Sequence, residues 1–148
     1  MMVIKQYSNE NLGDLTFLMN QWFDEKQYSP YEIADSIEFI QNKSENKIFI
    51  AENSEGKVKG YVLTGICYYI GFKPFVEIIQ LLVDKDSRDQ GIGTSLIEFV
   101  EEYYKEQRIE EIKLHSRIER GQAHNFYRKL GFKEFKQSKF FEKEIENK

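Results

Sequence analysis

The stretch Val83-Asp84-Lys85-Asp86-Ser87-Arg88-Asp89-Gln90-Gly91-Ile92-Gly93-Thr94 joins an apolar, β-rich run to an amphipathic helix and sets two glycines where that helix begins. Amides at a helix start have no intrahelical acceptor and carry the positive end of the dipole, so they bind phosphate. Glycine lets a diphosphate approach the backbone with no Cβ in the way. Arg88 adds a fixed positive charge to the loop. Two other phosphate loops do not fit. A P-loop needs Gly-Lys-Ser/Thr, whereas Gly93 is followed by Thr94-Ser95, and a dinucleotide fingerprint needs a third glycine where Leu96 stands, near the start of a βαβ unit. Taken alone, the glycine pair fits an ordinary strand-to-helix turn equally well.

Working outward, Phe75 to Val83 reads as a strand, and Ile92, Leu96, Phe99, Val100 and Tyr103 form the inward face of a helix from Ile92 to about Lys105. Upstream, Val3 to Tyr7 is β-rich, and Leu12, Leu15, Leu18, Met19, Trp22 and Phe23 recur at helical spacing. Ser29-Pro30-Tyr31-Glu32 announces a second helix, with a capping box and proline at the first helical position. Its apolar face is Ile33, Ile37 and Ile40. Ile48 to Ala51 and a strand from Val58 running on to Tyr69 flank the turn Ser54-Glu55-Gly56, and Gly71 to Pro74 makes another turn. Downstream, Ile112 to Ser116 is a short strand. Ala123, Phe126, Tyr127 and Leu130 line a last helix that Gly131 ends, and Phe132 to Phe135 with Phe140 to Ile145 reads as a terminal strand pair. The order is β-α-α-β-β-β-α-β-α-β-β, an α/β (α+β) fold with a mixed, mostly antiparallel central sheet flanked by about four helices.

The 148 residues suit one domain, residues 1–148, and no repeat, low-complexity run or linker divides them. With 41% hydrophobic residues, including 12 Phe and 9 Tyr, the core needs no crosslink. Cys67 is the only cysteine, and no Cys/His cluster has zinc spacing, so no metal is expected. The absence of a basic-then-apolar start and of any membrane-length run points to a cytoplasmic protein with no membrane partner. A net charge of −4 argues against a broad nucleic-acid footprint, so an anionic ligand needs a local device such as the glycine loop.

Arg88-x-x-Gly91-x-Gly93 after a strand ending in Val83 resembles motif A of the GNAT N-acetyltransferase superfamily. Glu55-Gly56-Lys57-Val58-Lys59-Gly60-Tyr61 resembles the family's second hairpin, and Ala123-x-x-Phe126-Tyr127-x-x-x-Gly131-Phe132 its motif B. The element order agrees across essentially the whole chain. The resemblance implies acetyl-CoA as acetyl donor, its pantetheine arm lying between two splayed parallel strands that end at Val83 and near Ser116. Backbone groups around Leu81 and Val83 would pair with the arm. The amides of Arg88, Asp89, Gln90, Gly91, Ile92, Gly93 and Thr94 would cradle the pyrophosphate, and an amide near Leu82 or Val83 would face the thioester carbonyl. Where many members carry a pantetheine-binding asparagine this chain has Arg120, which resembles a variant among small bacterial members.

The same resemblance gives Tyr127 the task of protonating the departing thiolate, against the alternative of a core tyrosine. Glu77 stands where histone-type members place a general-base glutamate, against the alternative of a salt-bridged strand residue. Gln80 replaces the glutamate of several antibiotic-acetylating members and cannot act as a base. His115 is a relay candidate at the strand end, His124 a helix-surface residue and Cys67 a small packed hydrophobe with no identifiable basic partner. Asp24, Glu25, Glu32 and Asp35 fall where the family builds the acceptor pocket and could attract a cationic amine, although capping and solvation explain them as well. Tyr68, Tyr69, Phe72 and Phe75 can line a pocket or make a homodimer contact, and the sequence leaves both open. The function expected is direct acetyl transfer to a primary amine of a small molecule. The alternatives are a protein lysine or N-terminal acetyltransferase and a non-catalytic CoA-binding regulatory module.

Overall fold

Strand-forming runs pair in chain order into one five-stranded sheet. The computed structural model describes residues 2–23, 26–43 and 45–146. The elements are β1 (Val3–Gln6), α1 (Leu12–Trp22), α2 (Pro30–Gln41), β2 (Lys47–Glu52), β3 (Val58–Cys67), β4 (Phe75–Val83), α3 (Ile92–Lys105), β5 (Ile112–Leu114) and α4 (Gly121–Lys129). Neighbours are antiparallel from β1 to β4, while β4 and β5 run parallel. The chain's contacts fall into two compact units, Met1–His115 and Ser116–Lys148.

In the first unit, Leu15 and Leu18 of α1 and Ile33 and Ile37 of α2 pack with Ile48, Ile50, Tyr61 and Leu63 of the sheet. Across the sheet, α3 buries Ile92, Leu96, Ile97, Val100 and Tyr104. Phe49 lies with its ring centroid 5.1 Å from Phe99 and 4.9 Å from Tyr103, and the Tyr104 and Thr64 hydroxyls meet at 2.7 Å. Gly60 lets α3 sit this close: a Cβ there would meet Ile92 Cγ2 and the Leu82 carbonyl oxygen, each at 3.0 Å. The Ser29 capping box forms as expected, with Ser29 Oγ accepting from the Glu32 amide and Glu32 accepting from the Ser29 amide.

Two strands end earlier than expected. β3 stops at Cys67, leaving Tyr68, Tyr69 and Ile70 exposed, and β5 stops at Leu114. In the second unit, α4 closes with a Schellman arrangement: Phe132 N donates to the Tyr127 carbonyl, Gly131 N donates to that of Arg128, and Gly131 takes φ 94°. The expected terminal strand pair is corrected, since no strand follows Leu114 among the described residues. Phe135, Phe140, Phe141 and Ile145 are exposed, and lysines and glutamates interleave them, so the segment offers no continuous apolar face for pairing to bury.

Candidate functional site

β4 and β5 part where a bulge interrupts β4. Leu63 faces Gln80 and Thr64 faces Ile78, so Ile79 is an extra residue in β4. A bulge bends and twists the strand that carries it. Pairing with β5 covers Val76↔Ile112, Glu77↔Lys113 and Ile78↔Leu114 and ends there. From Ile79 to Val83 the edge of β4 turned away from β3 pairs with no described strand. The Asp84 amide donates to the Lys59 carbonyl at 2.8 Å. By the alternation of an antiparallel ladder, the amides of Leu82 and Gln80 also face β3, while those of Leu81 and Val83 face the opening. Of the two amides expected near a thioester carbonyl, Val83's is the outward one.

The loop beyond β4 leads into a helix start that no side chain caps. Asp89 (φ 63°) and Gly91 (φ 77°) both adopt left-handed backbone, which turns successive amides to one side. Gly91 is the N-cap of α3, so no side chain satisfies the first-turn amides, and the first closing bond runs from Ser95 N to the Gly91 carbonyl. The amides of Ile92, Gly93 and Thr94 therefore precede the helical ladder. A Cβ at Gly91 would meet no protein atom within 4 Å, so the space above the turn is open to a ligand. From Asp89 to Thr94 the backbone thus turns through two left-handed residues into a helix start whose first amides have no side-chain cap.

Sequence reasoning missed what holds this loop. Asp84 is buried and accepts from Gln21 Nε2 (2.7 Å), Lys59 Nζ (3.3 Å), Ser87 Oγ (3.2 Å) and the Asp86 amide (3.4 Å). Burial alone would raise its pKa, but these donors together hold the carboxyl below its ordinary value. A depressed folded-state pKa contributes stability that is present above the unfolded-state value, about 3.9, and is lost as pH falls through the folded-state value. Asp84→Asn is therefore expected to destabilise the chain by about 1–3 kcal/mol at pH 7. Urea titrations should show that difference shrinking from about pH 4 downward. The signal available in the sequence was an aspartate directly after an apolar strand.

A second cluster lies on the sheet face covered by α1 and α2. Glu77 Oε1 is 3.4 Å from His115 Nδ1, and Glu77 Oε2 accepts from Cys67 Sγ at 3.2 Å. The Glu77 side chain is 29% exposed, so it can reach solvent or a ligand. Burial and the bond to Glu77 push the Cys67 thiol up to about 11, so it stays a thiol at neutral pH and is no nucleophile. Lys113 Nζ sits 4.3 Å from the Phe75 ring centroid beside this cluster. Gln80 lies apart from this cluster: its Oε1 is 3.5 Å from the Tyr61 hydroxyl, which is nearer to Met19 Sδ (2.9 Å), and it lines a small apolar cavity of about 60 Å³ under α1 and α2.

The remaining candidates divide. Tyr127 lies on α4 in the second unit, and its phenol pKa is raised by burial against an opposing effect of Arg120, so it is protonated at neutral pH. His124 Nε2 contacts the Arg117 carbonyl at 2.7 Å. Glu32 serves the cap and pairs with Lys26 at 2.8 Å, and Asp35 is exposed. Asp24 and Glu25 lie outside the described residues. Tyr68, Tyr69 and Phe72 are exposed, whereas Phe75 is buried and stacks with Tyr69. Among the described residues no group of His, Cys, Asp and Glu is gathered to hold a metal, and no helix is long and apolar enough to cross a membrane.

Over residues 16–132 the chain matches the acetyltransferase (GNAT) family, and it belongs to that family, whose members are acyltransferases with acetyl-CoA as donor. An uncharacterized N-acetyltransferase of Methanocaldococcus jannaschii is 30% identical over 138 residues, covering 88% of this chain and 60% of that protein. The chain thus spans about three fifths of that relative's length. Among solved structures, a transcriptional regulator of Bacillus halodurans superposes with TM-score 0.86 at 21% identity, covering 96% of this chain and 99% of that one. An aminoglycoside N-acetyltransferase in complex with CoA superposes with TM-score 0.83 at 21% identity, covering 98% and 96%. These two likenesses establish the fold.

Proposed function

We propose that the chain binds acetyl-CoA along β4 and the loop Arg88 to Thr94 and transfers the acetyl group directly to a primary amine of a small molecule. The observation that carries this reading is the conjunction of a β4 edge whose Leu81 and Val83 amides no described strand takes up with an uncapped, glycine-started helix at Gly91. Bound there, acetyl-CoA supplies an acetyl thioester with a good leaving group. The chain's own residues do the rest. The outward amides of Leu81 and Val83 orient the donor, and Val83's donates to the oxygen on which negative charge develops. Arg88 and the first-turn amides of α3 hold the diphosphate. Glu77 takes a proton from the acceptor ammonium, and Tyr127 returns one to the leaving sulfur.

The small-molecule class is favoured by structural neighbours named as aminoglycoside acetyltransferases. Aminoglycosides themselves are not singled out, because Gln80 stands where several such enzymes carry a glutamate and an amide cannot act as a base. The test is free-thiol release from acetyl-CoA over a panel of small amines and lysine peptides, with Gly91→Val as control. Saturable release is expected with at least one small amine. In Gly91→Val, acetyl-CoA affinity measured by calorimetry should fall by at least ~2 kcal/mol, about thirtyfold. Release with lysine peptides alone would overturn the acceptor class. Donor binding with no release from any amine would make the chain a CoA-binding module.

A further inference from the structure

The last turn of α1 grips the diphosphate loop at several points. Trp22 Nε1 donates to the Val83 carbonyl at 3.3 Å, Gln21 Nε2 donates to Asp84, and Gln21 Oε1 accepts from the Lys85 amide at 3.1 Å. The Trp22 ring also carries two cations, with Arg88 Cζ 4.6 Å and Lys85 Nζ 5.6 Å from its centroid. None of these contacts is local in sequence. Arg88 is exposed, and a long exposed side chain samples many rotamers unless something holds it. An indole face is the best aromatic partner for a guanidinium. Lys85 and Arg88 repel each other across the same ring, and a diphosphate placed beside them neutralises both charges. The arrangement therefore sets two cationic side chains on one indole beside the amide cradle, in a loop that also carries Asp86 and Asp89.

We propose that Trp22 is a positioning residue for the donor: its indole, fixed by the bond to Val83 and by the adjoining Gln21 tether, holds Arg88 where the diphosphate binds. The role is exerted through Arg88, and preorganising that side chain removes an ordering cost from donor binding. Acting through Arg88, Trp22 should show its effect in donor affinity rather than in the chemical step, and the bond to Val83 makes kcat the readout that separates the two. The inference rests on the donor reading given above.

The experiment is a double-mutant cycle on the full chain with Trp22→Leu and Arg88→Ala, read by acetyl-CoA calorimetry and steady-state kinetics. Trp22→Leu is expected to weaken donor binding about three- to tenfold, raising the donor KM with kcat unchanged. In the Arg88→Ala background the same change should cost less than about twofold, because the partner it serves is gone. Trp22→Phe keeps a ring face for Arg88 and should recover most of the affinity, and it replaces the leucine variant in the cycle if that one does not fold. Equal losses in both backgrounds, or a fall in kcat with donor affinity intact, would overturn the role. If Gly91→Val weakens the donor while the cycle is additive, only the positioning role falls. If neither Gly91→Val nor Arg88→Ala alters donor affinity, the donor reading falls and takes this one with it.

Discussion

Replacing Glu77 by glutamine should lower amine acetylation by about 10²–10⁴-fold near neutral pH, the range a positioned general base contributes. An amide has the size of the carboxylate and keeps an acceptor oxygen, but it cannot take up a proton. Glu77 is suited to the task because its side chain is partly open while His115 and Cys67 fix its two oxygens. The substitution should leave the fold intact, since partly exposed polar contacts of this kind contribute about 0–1 kcal/mol whether or not the partner is charged. The deficit should narrow as pH rises, because the acceptor amine then loses its proton without help. Rates measured from neutral to alkaline pH, with unfolding followed in parallel, provide the check. A rate close to that of the parent protein at every pH would leave Glu77 as a structural residue and make water or His115 the next candidate.

Tyr127→Phe separates acid from packing. The ring lies 5.3 Å from that of Phe126 and 5.9 Å from that of Phe132, and phenylalanine keeps both contacts while losing only the hydroxyl. Burial keeps the phenol protonated at neutral pH, which is the state a proton donor must occupy. If the hydroxyl protonates the departing thiolate, turnover should fall by about 10²-fold or more while acetyl-CoA affinity barely moves. The loss should be smaller with an acyl donor whose thiol leaves readily as an anion, since such a group needs less protonation. Stopped assays with both donors, alongside calorimetry of acetyl-CoA, test this. Full turnover by the phenylalanine variant with acetyl-CoA would remove Tyr127 from the catalytic residues.

Features governed by local rules were legible in the sequence. The β4 span Phe75–Val83 and the α3 span Ile92–Lys105 agree with their apolar periodicities, and the Ser29 capping box and the Gly131 stop form where their residue types require them. These are set by hydrogen bonds and steric limits within a few residues of one another. The glycine loop was legible for the same reason, because an uncapped helix start with left-handed Gly91 is a local arrangement.

Other features depend on which strands meet, and tertiary structure alone decided them. The bulge at Ile79 and the early end of β5 open the edge of β4, yet neither leaves a mark in the strand periodicity. Cys67 acquires Glu77 as a partner only through the β3–β4 register. The terminal segment is rich in phenylalanine like a strand pair, but its apolar residues do not keep to one face, and no strand forms there among the described residues. Asp84 sits within the most closely read stretch, but its partners Gln21 and Lys59 come from α1 and β3. Periodicity states which way a side chain turns from its own backbone, whereas its partners are chosen by the register and packing of distant elements.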